Sequence, residues 1–176
     1  MIELGMDELD TLFCMNSKKY NLVKGKLLLK AIATVESSMN QRAYRYEPAF
    51  WTNYLKNDPN WKDKDPALVS ASYGLMQIMW TTAWALGFRG TTSEDLEDPA
   101  VNIELGAKLI RQILDKVYAT QACGCFRLTP IGVTLARYNG GSGDNPDADG
   151  NLRNFRYMNK VFTAWDALKA SEEDCS

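Results

Sequence analysis

The chain has 176 residues and a mass of 19.8 kDa, enough for one ordinary folded domain that buries roughly two-thirds of its unfolded surface without needing disulfides or metal. It contains no histidine, which excludes Ser-His-Asp and Cys-His nucleophiles, HExxH zinc sites and imidazole acid-base chemistry. A formal net charge of -2 gives no overall pull toward nucleic acid or anionic membrane, so neither is an expected partner.

The first ten residues are acidic where a signal peptide needs a positive region and an apolar run, so classical export is not expected. No apolar stretch approaches the roughly 18 residues of a membrane span. From Asp7 to Tyr20, Leu9, Leu12 and Phe13 recur at helical spacing, and from Lys24 to about Asn40 Leu28, Ile32, Val35 and Met39 form a stronger stripe. Residues 41–66 are aromatic and proline-punctuated, predicting ordered loop and short helix packed on the domain. Ala71 to Leu86 is apolar on most sides and is followed by Gly87, which predicts a buried central helix with a glycine C-cap.

Asp98-Pro99 supplies an N-cap and an N1 proline ahead of an amphipathic helix over Val101 to Tyr118. Ile131 to Tyr138 predicts a short helix, Gly140 to Asn151 a polar loop, and Phe155, Met158, Phe162, Trp165 and Leu168 a last helical stripe. Period-2 alternation is scarce and there is no internal repeat. The expected fold class is all-α, in a single domain spanning residues 1–176.

Glu36 stands out among the acids. At about 100° per residue it falls about 80° from Leu28, at the edge of an apolar stripe whose other members lie within about 40°. A carboxyl there is partly desolvated, which raises its pKa toward the protonated state that a general acid needs. Gln77, in an apolar setting, needs partners for its amide, from sugar or from backbone. Met79 and Tyr157 suit core packing, and Tyr138-Asn139 before two glycines suits a helix that ends and turns.

Four segments occur in order: Ala33-Thr-Val-Glu36-Ser37-Ser-Met-Asn40, Ser72-Tyr-Gly74-Leu75-Met76-Gln77-Ile78-Met79, Ala136-Arg-Tyr138-Asn139-Gly-Gly141 and Asn154-Phe-Arg-Tyr157-Met-Asn-Lys-Val161. In content and order they resemble the soluble lytic transglycosylase and goose-type lysozyme family, over about residues 27–161. The resemblance implies a lysozyme-like helical fold with a glycan groove. It also implies cleavage of the β-1,4 bond between N-acetylmuramic acid and N-acetylglucosamine in peptidoglycan.

In that resemblance Glu36 matches the catalytic acid and Ser37 the residue after it. Gln77 and Met79 match positions lining the groove, Tyr138 and Asn139 match the family's Tyr-Asn pair, and Tyr157 matches the late tyrosine whose hydroxyl helps hold the catalytic carboxyl. The implied chemistry uses Glu36 twice, as acid on the leaving oxygen and as base on the sugar's C6 hydroxyl, giving 1,6-anhydromuramic ends. It requires no cofactor and no metal, and a monomer is expected to act on glycan strands in the periplasm. That place of action, beside an acidic N-terminus, points to a phage-encoded, specially secreted or leader-trimmed enzyme.

A second carboxylate would favour hydrolysis, and Glu47 is the nearby candidate: to position water, to bind a muropeptide amine, or to pair with Arg42 or Arg45. Acids immediately before Gly74-Leu-Met-Gln77 are missing, which favours the transglycosylase over a muramidase; a binding protein without turnover is the reading from another class. Arg137 and Trp80 depart from the small residue and the proline common in the family. Trp51 and Trp61 suit sugar stacking or, more commonly, core packing. Asn145 to Gly150 begins like a calcium loop, but Arg156 stands where a bidentate Glu is required, so no calcium is expected. Pairing among Cys14, Cys123, Cys125 and Cys175 cannot be read from the sequence.

Overall fold

The computed structural model describes residues 3–120, 129–141 and 154–175. It is mostly helical, as expected, with one small antiparallel sheet. Helix α1 (Met6–Lys19) begins where the Glu8 carboxylate accepts from the Gly5 N–H at 2.8 Å; acids in its first turn and lysines in its last oppose its dipole. Helix α2 (Gly25–Ser37) is buried around most of its circumference, with Leu28, Leu29 and Ile32 essentially inaccessible. It stops abruptly because Ser38 and Met39 both turn left-handed, at φ 54° and 64°.

The aromatic stretch folds as strand β1 (Tyr44–Tyr46), a short helix α3 (Pro48–Phe50), a π-helical turn over Trp51–Leu55 and helix α4 (Pro66–Val69). Trp51 and Trp61 pack against the core, Trp61 edge-on to Trp84 with ring centroids 6.1 Å apart. The expected central helix from Ala71 is not there. Ala71–Tyr73 is strand β2, Ile78–Met79 is strand β3, and only Trp80–Ala85 is helical, as α5. The segment is apolar because both faces of β2 are buried, and a fully buried strand carries no period-2 signal. Gly87, at φ 101°, does terminate α5.

The sheet order is β1-β2-β3, with Arg45 opposite Ser72 and Ser72 opposite Met79 on one face, and Tyr44, Tyr73 and Ile78 aligned on the other. Trp80, at the position where the family often has proline, is a core residue set edge-on to both Tyr73 and Phe88. A capping box at Thr92 and Asp95 starts the short helix α6 (Ser93–Glu97), which sequence periodicity did not disclose. Helix α7 (Pro99–Ala119) starts as expected: the Asp98 carboxylate accepts from the N–H groups of Ala100 and Val101. Helices α8 (Pro130–Gly140) and α9 (Phe155–Ser171) complete the described fold; α9 packs along α2, and α8 bridges α7 and α9. The possible calcium loop, Cys123 and Cys125 lie outside the described residues. Cys14 and Cys175 form a disulfide, Cα atoms 5.7 Å apart.

Candidate active site

The site is built where the C-terminal end of α2, the first turn of α9, the end of α8 and the small sheet converge. Glu36 occupies the last turn of α2 and is half-buried. Burial pushes its pKa above the ordinary carboxylate value, opposed by the Tyr157 hydroxyl and by the charge of Arg45. The desolvation expected from the edge of the apolar stripe is thus present.

The Tyr157 hydroxyl is buried against Glu36, close enough to favour its charged form while outside strict hydrogen-bond geometry with any acceptor. Burial first, and then the Glu36 charge, hold this phenol protonated well above its ordinary range. Tyr138 is likewise held protonated by burial and by Glu36, and its hydroxyl donates to the Met76 carbonyl at 2.7 Å. Two neutral phenols therefore flank one carboxyl. Ser37 is placed differently from a ligand-facing hydroxyl: its Oγ donates to the Ala33 carbonyl of its own helix at 2.9 Å.

The loop between β2 and β3 forms the opposing wall. Gly74 is left-handed at φ 70°, and a Cβ there would stand 2.5 Å from Asn102 Nδ2. Asn102, in the first turn of α7 and fully buried, donates to the carbonyls of Tyr73 and Leu96 and accepts from Met76 N–H at 2.7 Å. A Cβ on Gly106 would meet the Met76 side chain at 2.8 Å, so α7 lies flush against the loop. Gln77 is left-handed at φ 46°. Its amide donates to the carbonyls of Ala43 and Gly74, and its Oε1 accepts from Ser72 Oγ. Both sides of the amide are thus engaged within the sheet, the backbone alternative of the two open at the sequence level.

Met79 is half-buried at the end of β3 and Asn139 is exposed near the end of α8. Arg137 and Tyr138 line a cavity of about 210 Å³ with Thr82, Leu109, Ile113, Lys116 and Gly141. Glu47 pairs with Arg45, Nε to Oε1 2.7 Å. That pairing was one of the alternatives open to Glu47 in the sequence, whereas sequence reasoning missed Asn102. A lone asparagine between Val101 and Ile103 in an apolar stripe was the available signal. Among the described residues no group of three or more Cys, Asp or Glu side chains is arranged to hold a metal ion.

This convergence of a desolvated carboxyl with a glycine-hinged hairpin and two buried tyrosines corresponds to a family match: the family model of the transglycosylase SLT domain covers residues 11–160. The chain belongs to that family, whose activity is cleavage of peptidoglycan of the lytic transglycosylase type. No curated protein matches the chain.

Proposed function

We propose that the chain is a lytic transglycosylase that cleaves the β-1,4 bond between N-acetylmuramic acid and N-acetylglucosamine, with Glu36 as its only acid-base residue. The observation that carries the reading is Glu36 itself, a single carboxyl whose pKa burial raises above the ordinary carboxylate value, with the buried phenols of Tyr138 and Tyr157 beside it. As acid it gives its proton to the leaving O4 while the C1–O4 bond breaks and the N-acetyl carbonyl supports the developing charge at C1. The resulting carboxylate then takes the C6 hydroxyl proton as O6 bonds to C1, which regenerates the acid and closes the 1,6-anhydro ring without water.

Gln77 contributes the shape of the hairpin wall, Met79 and Asn139 offer surface to the sugars, and Tyr138 and Tyr157 keep the carboxyl in a dry, polar-capped setting. The muramidase reading needs a second carboxylate to hold water. Glu47 is engaged with Arg45, which weakens that reading. The place of action is the periplasmic side of the cell wall, and the Cys14–Cys175 disulfide suits such an oxidising compartment.

Mass spectrometry of soluble products from isolated peptidoglycan, taken without reduction, tests the chemistry. Anhydromuramic ends are expected; reducing ends would overturn the lyase assignment. Glu36→Gln should lower turnover by about 10³-fold or more while the protein still folds and binds glycan; normal turnover by this variant would overturn the assignment of Glu36.

A further inference from the structure

Helices α7 and α8 pack together and leave a cavity of about 210 Å³ between them. Leu109, Ile113 and Lys116 follow one another at four and three residues along α7, the spacing that keeps side chains on one face of a helix. The first two are half-buried and give the cavity an apolar floor, while the exposed Lys116 brings an ammonium to its rim. Arg137 and Gly141 line it from α8, one turn apart, with the Gly141 N–H donating to the Arg137 carbonyl at 2.8 Å. A Cβ built on Gly141 would meet no atom of the described residues within 4 Å, so there is room for a ligand at that end.

Tyr138 joins this cavity to the site. The residue lines the cavity, and its hydroxyl donates to the Met76 carbonyl of the hairpin wall at 2.7 Å. Thr82 of α5, three residues past Met79, lines a third side. The cavity therefore abuts the hairpin wall through one shared side chain.

Two cations line the cavity, and among its described lining residues none is acidic. Asp115, beside Lys116 in sequence, is engaged by Arg111 instead. The volume is below the roughly 300–1,000 Å³ of cavities that enclose a whole small molecule, so it suits one substituent of the substrate and not a length of glycan. In peptidoglycan the glycan backbone is neutral wherever the lactyl group is amide-linked to a stem peptide. The negative charge lies on the free carboxylates of that stem. A guanidinium fork with an ammonium beside it holds a carboxylate through charge-assisted hydrogen bonds, and an apolar floor receives the methylene groups that adjoin it.

We propose that this cavity binds a free carboxylate of the stem peptide, held by Arg137 and Lys116 over the floor of Leu109 and Ile113. The proposal rests on the reading of the substrate as peptidoglycan. It makes the enzyme select strands that still carry charged stems. The gain is in affinity, because neither cation touches the reacting atoms.

The test compares kcat/KM on isolated peptidoglycan before and after its carboxylates are amidated with carbodiimide and ammonium. The unmodified substrate should be favoured by about tenfold or more, as expected when a hydrogen-bonded charge is removed, with the difference in KM. Lys116→Gln should lower that preference, and Arg137→Gln combined with Lys116→Gln should abolish it. Lys62→Gln removes an equal charge from an exposed loop outside the cavity and should keep it. Melting curves establish that each variant is folded, and the exposed Lys116 carries the comparison if Arg137→Gln is unstable.

Equal kcat/KM of the wild-type protein on the two substrates overturns the proposal. So does a preference that survives the double substitution, or one that Lys62→Gln lowers as much as Lys116→Gln. Calorimetric titration of the Glu36→Gln protein with a disaccharide peptide, its carboxylates free or amidated, reads the same preference without turnover. Tighter binding of the free form is expected, and equal binding overturns the proposal. Failure of the underlying reading shows separately, as no binding of either form and no soluble products from either substrate.

Discussion

The surroundings of Glu36 raise its pKa on two levels. Its side chain is desolvated, and its position in the last turn of α2 puts it at the negative end of that helix's dipole, where a carboxylate is disfavoured. Tyr157 works the other way: its buried hydroxyl lies against Glu36 and favours the ionised form. Tyr157→Phe should therefore raise the Glu36 pKa further, move the basic limb of the pH profile upward and lower kcat. Unchanged kcat and an unmoved limb in stopped assays across pH would show that the phenol only packs.

At the scale of elements, the hairpin wall depends on one side chain from another helix. Asn102 satisfies three backbone groups of the β2 loop and of α6. Asn102→Ala leaves them buried and unpaired, at about 1–3 kcal/mol each, so urea unfolding should show a loss of about 3 kcal/mol or more, with activity reduced through displacement of Gln77. The longer helices were legible in the sequence because their apolar stripes and caps are local: Asp98-Pro99 announced α7, and Gly87 the end of α5. The hairpin was not, since Ala71–Tyr73 and Ile78–Met79 are too short and too buried to alternate. In the site, Glu36 could be read from its place on a stripe. Gln77 points into its own hairpin only because its backbone is left-handed.

The molecule as a whole is held at its C-terminal side by a partly buried ionic cluster. Lys30, in the middle of α2, meets Asp10 of α1 at 2.8 Å and Glu172 beyond α9 at 2.7 Å, with Lys26 beside them. Burial opposes each charge, but the pairing outweighs it, holding Asp10 below and Lys30 above their ordinary values. Next to this cluster the Cys14–Cys175 disulfide spans 161 residues of sequence. Chain-entropy arguments assign a loop of that length about 5 kcal/mol. A Cys14→Ser/Cys175→Ser variant should lose roughly 2–5 kcal/mol in thermal melts, and reductant should lower the melting temperature of the wild-type protein but not of the variant. Because α9 carries Tyr157 and is fixed at its far end by these contacts, the loss is expected in stability before turnover at low temperature.

That disulfide also changes what kind of object the chain is. Between Cys14 and Cys175 the backbone is a closed covalent circle. One proteolytic cut anywhere on it opens the circle without releasing a fragment, so the enzyme keeps all of its mass and both walls of its site through an event that would divide a linear chain.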